Sequence, residues 1–431
     1  MNEKYILSDD VKYRREKFGG IIFDKKSKET LFFNHLAALS LENFRTPATL
    51  KEMKRSLSML TGCGDVEDEF FESIVDSSII VEANGKPENA RHLYFSDVTD
   101  FQENCLYSPL AVELELTLKC MRNCAYCAYN SSPYVSTEGQ LDFRDYLKIL
   151  DKLERAGVFY IRFTGGDPLT RSDSIEIMNE ANNLEFGFAV ASDLTALSKM
   201  QARKLGEFEN LISLQTTLDG STQSIADKLR GQGSFRRTIR GIDLLRAHGV
   251  PLIVGTILTK YNVDDIYNIA KVLSEYNVSY CVSPLYDAGR AKNLNALIPS
   301  NDDLARAYDQ FALAVEDGLV LPADPGWCAL AQHLDKKERD SLWSNQPWLV
   351  RSPDQILRVD PLGRCYTSIH LKEVVSDDIY VGKLQSNDVI ELWNRSPLLN
   401  SLRENATTNK YYGEVLDIRD IKKILEQNNE H

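Results

Sequence analysis

The chain has 431 residues, 43% of them hydrophobic and 26% charged, a globular composition that excludes disorder as its main state. Fifty Lys and Arg against 63 Asp and Glu give a net charge of −13, which argues against non-specific binding to nucleic acid or to an anionic membrane. No stretch approaches the ~18 apolar residues of a membrane helix, and the start, MNEKYILSDD, lacks a signal peptide's apolar core, so a cytoplasmic protein with no membrane partner is expected.

At about 100–200 residues per domain, the length suggests two to four domains. Residues 1–95 read as a short β-rich start followed by helices. Segments 13–18 and 21–23 flank Gly19-Gly20, a hairpin signal, and 30–33 is a third β-like run. Helical spacing follows at 36–44, at 50–60 after the cap-like Thr46-Pro47-Ala48-Thr49, and at 67–75, with a closing strand at 79–81. From about residue 110, short apolar runs at 112–116, 160–163, 188–191, 211–214, 252–257 and 280–282 alternate with amphipathic stretches. These lie at 146–155, 175–181, 196–205, 238–247, 266–275 and 304–315. Six strand–helix repeats in a row predict a parallel α/β barrel or partial barrel, with a doubly wound sheet as the alternative. Either architecture places ligands at the C-terminal ends of the strands. Beyond 321 the pattern turns irregular, with β-like runs at 355–359 and 379–381 and helices at 389–393 and 398–403. A polar tail with a helical stretch at 418–425 follows.

Eight cysteines are present: Cys63, Cys105, Cys120, Cys124, Cys127, Cys281, Cys328 and Cys365. In a reducing compartment, tight spacing points to metal or redox chemistry rather than to disulfides. Cys120, Cys124 and Cys127 form C-x3-C-x2-C, with Tyr126 just before the third Cys. Three thiolates in one loop suit a cubane iron–sulfur cluster and leave one iron open to a ligand. Structural zinc calls for four closed ligands in pairs, and no second pair exists here.

At these residues the sequence resembles the radical S-adenosylmethionine (SAM) enzymes. The resemblance implies that Cys120, Cys124 and Cys127 hold a [4Fe–4S] cluster whose open iron chelates SAM. It also implies that an electron from a reducing donor cleaves the sulfonium to a 5′-deoxyadenosyl radical. Gly165-Gly166-Asp167-Pro168 is similar to the family's Gly-Gly-Glu-Pro turn, which meets the SAM amino group, with Asp167 replacing Glu. Thr217-Leu218-Asp219-Gly220 resembles its Ser-Leu-Asp-Gly segment, and Leu229-Arg230-Gly231 follows. In the peptide-modifying branch this implies that Thr217 and Arg230 hold the SAM carboxylate. Ser192-Asp193-Leu194-Thr195 stands where the family has Thr-Asn-Gly-Thr near the ribose, so Asn-Gly has become Asp-Leu. Tyr126 falls in the adenine-contacting slot.

The two ends narrow the substrate. Residues 5–82 resemble the RiPP recognition element, a small winged-helix domain that captures the leader of a ribosomally made precursor peptide by adding a β-strand to a sheet edge. The expected edge is 30–33, facing the helix at 67–75, with Lys25, Lys26 and Lys28 nearby for an acidic leader. A DNA-binding winged helix is the alternative, and the chain's acidity opposes it. Residues 355–405 resemble the SPASM domain of peptide maturases. Yet Ser368 stands where that domain has a ligand Cys, and 405–431 has none. Cys328 and Cys365 are too few for a four-thiolate cluster, so a SPASM- or twitch-like remnant without auxiliary clusters is expected. A cluster built from Cys328, Cys365 and outside ligands is the open alternative.

The expected protein is thus an N-terminal leader-binding domain (1–95), a partial (β/α)6 barrel (96–320), a small α+β C-terminal cap (321–405) and a tail (406–431). Its expected activity is modification of a precursor peptide, by epimerisation or by crosslinking. For epimerisation, Cys281 and Cys328 are candidate hydrogen donors, against the plainer reading of buried structural thiols. The rivals are a radical SAM enzyme acting on a small molecule or cofactor precursor, and a catalytically idle leader-binding scaffold.

Overall fold

The computed structural model describes residues 3–61, 68–84, 106–285, 288–292, 294–323, 356–366 and 380–408. Cys63, Cys105, Cys328, Ser368, most of 321–355 and the helical stretch expected at 418–425 lie outside them. The chain divides into two compact units, Met1–Ser108 with Arg155–Phe159, and Pro109–Glu154 with Tyr160–His431.

In the first unit, β1 (Tyr5–Leu7), β2 (Val11–Glu16), β3 (Gly19–Asp24) and β4 (Thr30–Asn34) precede α1 (His35–Glu42), α2 (Leu50–Thr61), α3 (Asp68–Asp76) and β5 (Ile80–Glu82). Strands β2, β3 and β4 form one antiparallel sheet, and β1 pairs with β5. The expected strands and helices are present, and β1 is an addition. The hairpin turn differs from expectation: it falls at Lys17-Phe18, and Gly19-Gly20 open the second strand, opposite Glu16 and Arg15. The reason is close packing across the sheet. Gly19 adopts φ +154°, and a Cβ there would lie 1.9 Å from the Phe33 carbonyl oxygen. The cap-like segment before α2 closes a capping box, with Glu52 Oε2 accepting from Thr49 N (2.7 Å) and Thr49 Oγ1 from Glu52 N (3.2 Å). Tyr13, Ile22, Leu41, Phe44, Met53, Leu57 and Ile74 form the core. At the sheet edge, β4 leaves Leu31 and Phe32 exposed, and Phe32 stacks on the exposed Phe18.

A buried ion pair organises the other side of β2. Arg14 Nε donates to Glu16 Oε1 at 2.7 Å, with both side chains fully buried. Arg14 also donates to the carbonyls of Gly157 (2.7 Å) and Ser108 (3.1 Å), and Glu16 Oε2 accepts from Tyr107 N (2.8 Å).

The second unit opens with β6 (Ala111–Thr117), α4 (Phe143–Arg155, its last residue assigned to the first unit), β7 (Tyr160–Gly165), α5 (Ser174–Asn183) and β8 (Gly187–Ala191). Then follow α6 (Lys199–Glu207), β9 (Leu211–Thr217), α7 (Gln223–Arg230), α8 (Ser234–Arg246), β10 (Leu252–Leu258), α9 (Ile266–Leu273), β11 (Ser279–Pro284), α10 (Asn301–Glu316) and β12 (Leu321–Pro322). All six expected strands are present and parallel, and their order in the sheet follows the chain from β6 to β12. A doubly wound sheet reverses its strand order at a switch point; this one does not, so the barrel reading stands. Helix α6 starts at Lys199 rather than 196 because Ser198 and Gln201 close a capping box. Helix α7 was not anticipated. On the other flank of β6, β13 (Ile356–Val359) pairs parallel to it, followed antiparallel by β14 (Arg364–Tyr366) and β15 (Gly382–Lys383). Of the β-like run expected at 379–381, residue 379 lies outside the described residues, and Tyr380 and Val381 precede β15 without being part of it. Helices α11 (Val389–Arg395) and α12 (Pro397–Thr408) end the described chain. Among the described residues no helix is long and apolar enough to cross a membrane.

The parallel strands are two-faced. Val112, Leu114, Ile161, Phe163, Phe188, Val190, Leu214 and Val254 are buried on one side. The alternate set carries Glu113, Glu115, Arg162, Gln215 and Cys281, and its bonds skip strands. Arg162 Nη2 donates to Gln215 Oε1 (2.6 Å), and Gln215 Nε2 approaches Cys281 Sγ (3.9 Å). Reaching past the neighbouring strand marks the concave side.

Removing Glu16 alone takes a fully buried carboxylate from the buried Arg14 guanidinium, so Glu16→Leu is expected to cost about 3–5 kcal/mol. Arg14→Met/Glu16→Leu should cost clearly less than the single variant, as read from denaturant unfolding of the full chain.

Candidate cofactor and active site

The cysteine loop has no secondary structure of its own and is held from three directions. Below it, Gly166 N donates to Thr117 O (2.7 Å) and Asp167 N to Lys119 O (2.9 Å), tying the β7 turn to the loop's stem. Gly165 (φ +124°) and Gly166 permit this: added Cβ atoms would meet the Thr117 oxygen at 2.2 Å and the Lys119 oxygen at 2.4 Å. In the structure both glycines abut the backbone that carries the cysteines. On a second side, Ala125 N donates to Leu229 O (3.4 Å) at the end of α7. On the third, Arg290 N donates to Cys127 O (3.0 Å), and its guanidinium reaches Cys124 O and Ser131 O, both at 2.8 Å. Gly289 lets this segment close in, because a Cβ there would lie 2.3 Å from Cys127 O. Sequence reasoning missed Gly289-Arg290; no motif announces them.

Two polar networks flank the loop. In the first, the Tyr126 hydroxyl hydrogen-bonds to Asp219 Oδ2, and Arg230 Nη1 lies 3.3 Å from that hydroxyl and 3.6 Å from Asp219 Oδ2. Asp219 Oδ1 accepts from Ile257 N (2.8 Å), and Asn262 Nδ2 donates to Asp219 O (3.2 Å). The structure thus joins three expected site residues, Tyr126, Asp219 and Arg230, through one another. Burial raises the Tyr126 phenol far above its ordinary value, with Asp219's charge adding to it. Arg230, at the end of α7, is buried.

The second network joins the other two strand ends. Asp167 Oδ1 accepts from Ser192 Oγ (2.9 Å) and Leu169 N (3.0 Å), starting a short 3₁₀ turn at Pro168. Burial, then the neighbouring Asp193 charge, hold the Asp167 carboxyl well above the usual range. Burial opposes ionisation of Asp193, but Arg230, Asp167, the Thr195 amide and Arg122 outweigh it and keep its carboxyl low. Asp193 Oδ2 accepts from Arg122 Nε (3.1 Å) and lies 3.6 Å from Cys120 Sγ. Thr217, the remaining expected SAM contact, ends β9 half-buried, opposite Gly255.

Leu194 takes φ +64°, a left-handed conformation that costs a non-glycine residue about 1–2 kcal/mol. Its side chain is buried, and Gly241 on α8 makes room: a Cβ there would lie 2.6 Å from Leu194 Cβ.

The residues fit the expected group. Among the described residues no three His, Cys, Asp or Glu side chains converge on a single metal ion. A cubane spreads its irons over several corners and does not require its thiolates to meet at one point. Burial, then Asp193 and Asp167, raise the Cys120 thiol, and burial raises Cys124 despite Arg230. Such thiols ionise only when a cation is supplied, which is what a coordinating metal does. Buried polar atoms around the loop also lack partners: Arg122 Nη1 and Nη2, Arg230 Nε and Asp167 Oδ2. An anionic ligand with amino groups would satisfy them.

Residues 114–273 match the radical SAM superfamily model, so the chain carries a radical SAM domain. It is 26% identical over 305 residues to the mycofactocin maturase MftC of Mycobacterium tuberculosis, covering 70% of this chain and 74% of that one. It is 25% identical over 302 residues to the PqqA peptide cyclase of Gluconobacter oxydans, covering 68% and 79%. The fold is similar to that of Streptococcus suis SuiB. The SAM-bound form aligns with TM-score 0.68 at 16% identity over 92% of this chain and 90% of that one. The form bound to precursor peptide SuiA aligns with TM-score 0.69 at 14% identity over 93% and 90%.

Gly241→Ala is expected to destabilise the protein by about 1–3 kcal/mol through overpacking against Leu194. Adding Leu194→Gly should recover part of that loss in thermal unfolding. Cys281 is 1% exposed, and burial raises its thiol to about 11. Its alkylation by iodoacetamide at pH 8 should therefore be at least roughly a thousandfold slower than that of a fully ionised thiol; mass spectrometry of the modified sites checks this.

Proposed function

We propose that the protein is a radical SAM enzyme that modifies a ribosomally made precursor peptide. The observation that carries the reading is the cysteine loop at the C-terminal ends of parallel strands, flanked by buried, unpartnered Arg122 and Arg230 nitrogens. Cys120, Cys124 and Cys127 hold the cluster. Arg230 binds the SAM carboxylate, and Thr217 supports it. Asp167, Ser192 and Tyr126 border the SAM pocket. When bound at Cys120, Cys124 and Cys127, the cluster would supply the electron for reductive cleavage of SAM, releasing methionine and enabling hydrogen-atom abstraction from the peptide.

This chain's residues orient and enclose that chemistry. Tyr126, Asp219 and Arg230 fix one wall by mutual hydrogen bonds. The concave face, with Arg162, Gln215 and Cys281, receives the modified segment. The first unit takes the leader along β4, whose edge is unpaired among the described residues and whose exposed Leu31 and Phe32 suit a strand with apolar side chains. The kinship with a maturase and a peptide cyclase supports a peptide as substrate. Cys365 is fully buried on β14, which supports a structural rather than a cluster-binding role.

The test is anaerobic reconstitution, with iron and sulfide analysis, electron paramagnetic resonance with and without SAM, and assay of 5′-deoxyadenosine with the precursor peptide. About four irons, a SAM-shifted spectrum and peptide-dependent deoxyadenosine are expected. Cys124→Ala should abolish all three. Phe32→Asp should weaken leader binding about tenfold, or about 1.4 kcal/mol, while leaving iron content unchanged. Absence of iron in the parent protein overturns the enzyme reading. About eight irons overturn the absence of auxiliary clusters.

A further inference from the structure

Arg122 is a buried cation that none of the expected assignments uses. Its residue is 4% exposed, and its side chain is attached through Nε to Asp193 Oδ2. Its two terminal nitrogens are buried and have no partner. Leaving such donors unpaired costs about 1–3 kcal/mol each, more when charged, so the arrangement is stable only if something anionic meets them. The same Asp193 oxygen that accepts from Arg122 lies 3.6 Å from Cys120 Sγ. A carboxylate against a metal-bound thiolate is repulsive, and Arg122 is the cation that offsets it. Asp193 in turn is held by Thr195 N at 2.7 Å, so the pair cannot rotate away together.

We propose that Arg122 and Asp193 form a positioning and charge-compensating pair for the anionic group held at the cysteine loop. Arg122 presents both terminal nitrogens to that group, and Asp193 fixes their direction. The inference rests on the reading that Cys120, Cys124 and Cys127 hold a cluster. With three thiolates against a 2+ core, that cluster is itself an anion, and the SAM carboxylate beside it is another. The neighbourhood is dense in charge: Asp193, Arg230, Arg237 and Cys124 all act on Arg122. Net charge and hydrogen bonds to sulfur set the potential of such clusters. The pair therefore acts on how readily the cluster is reduced, before any substrate chemistry.

The test compares Arg122→Met, Asp193→Asn and the double variant as reconstituted full-length proteins. It reads iron content, the midpoint potential of the SAM-free cluster, and SAM affinity. Losing the cation should make reduction about tenfold less favourable, about 59 mV for a one-electron couple. Losing the anion should shift the potential the opposite way, and the double variant should return towards the parent value. If SAM affinity instead falls at least tenfold in Arg122→Met at an unchanged potential, the bound anion is the SAM carboxylate, and the shared chemistry still holds. Arg122→Lys keeps the charge but loses the fork, and gives the comparison if the methionine variant does not fold. Iron-loaded variants with unchanged potential and unchanged SAM affinity overturn the proposal. A parent protein that takes up no iron overturns the cluster reading itself, a different failure from that of the pair.

Discussion

Everything at the candidate site depends on an irregular loop being immobilised by main-chain hydrogen bonds from outside it. Between Thr117 and Ser132 the chain has no helix or strand to fix its shape. Its shape comes from the β7 turn below, the end of α7 beside it, and the Gly289-Arg290 segment on its third side. Glycines recur at these junctions because carbonyl oxygens occupy the space where a Cβ would be. The three cysteines are therefore positioned by residues scattered over about 170 positions of sequence.

Much of this was legible. The barrel strands, their parallel order and the cysteine loop follow from apolar periodicity and from spacing that only a few metal sites use. Two kinds of feature were not. Strands as short as β1 and β15, of three and two residues, carry too little periodicity to stand out. Their pairing is decided by distant partners. Struts such as Arg290, Asn262 and Arg122 are common surface residue types, and only burial beside a specific carbonyl or carboxylate gives them a role. Gly19-Gly20 is the instructive case. The dipeptide signals a turn, but here tight approach of β4 outweighs that preference and moves the reversal two residues earlier.

The Asp193-Leu194 segment illustrates how a local departure is absorbed. A leucine in left-handed backbone and a buried carboxylate beside the Cys120 sulfur are each unfavourable alone. The first is accommodated by the missing side chain of Gly241, the second by the guanidinium of Arg122. Neither compensation is adjacent in sequence, and both are specific: a methyl group at 241 or a neutral residue at 122 removes it. Strain of this kind persists where surrounding structure over-determines it.

The pairing of β13 with β6 also bears on how the chain is made. Partners such as Arg358 and Glu113 lie 245 residues apart, whereas each barrel strand from β6 to β12 pairs with the next in sequence. During synthesis the barrel can zip up from its first strand onward, since loop closure between neighbours is short. The first strand nevertheless stays open on one flank until residue 356 has emerged. An unpaired, apolar strand edge is a template for another chain. The nascent protein thus passes through a stage in which its most regular sheet is also its stickiest surface. That vulnerability ends only when β13 returns to β6.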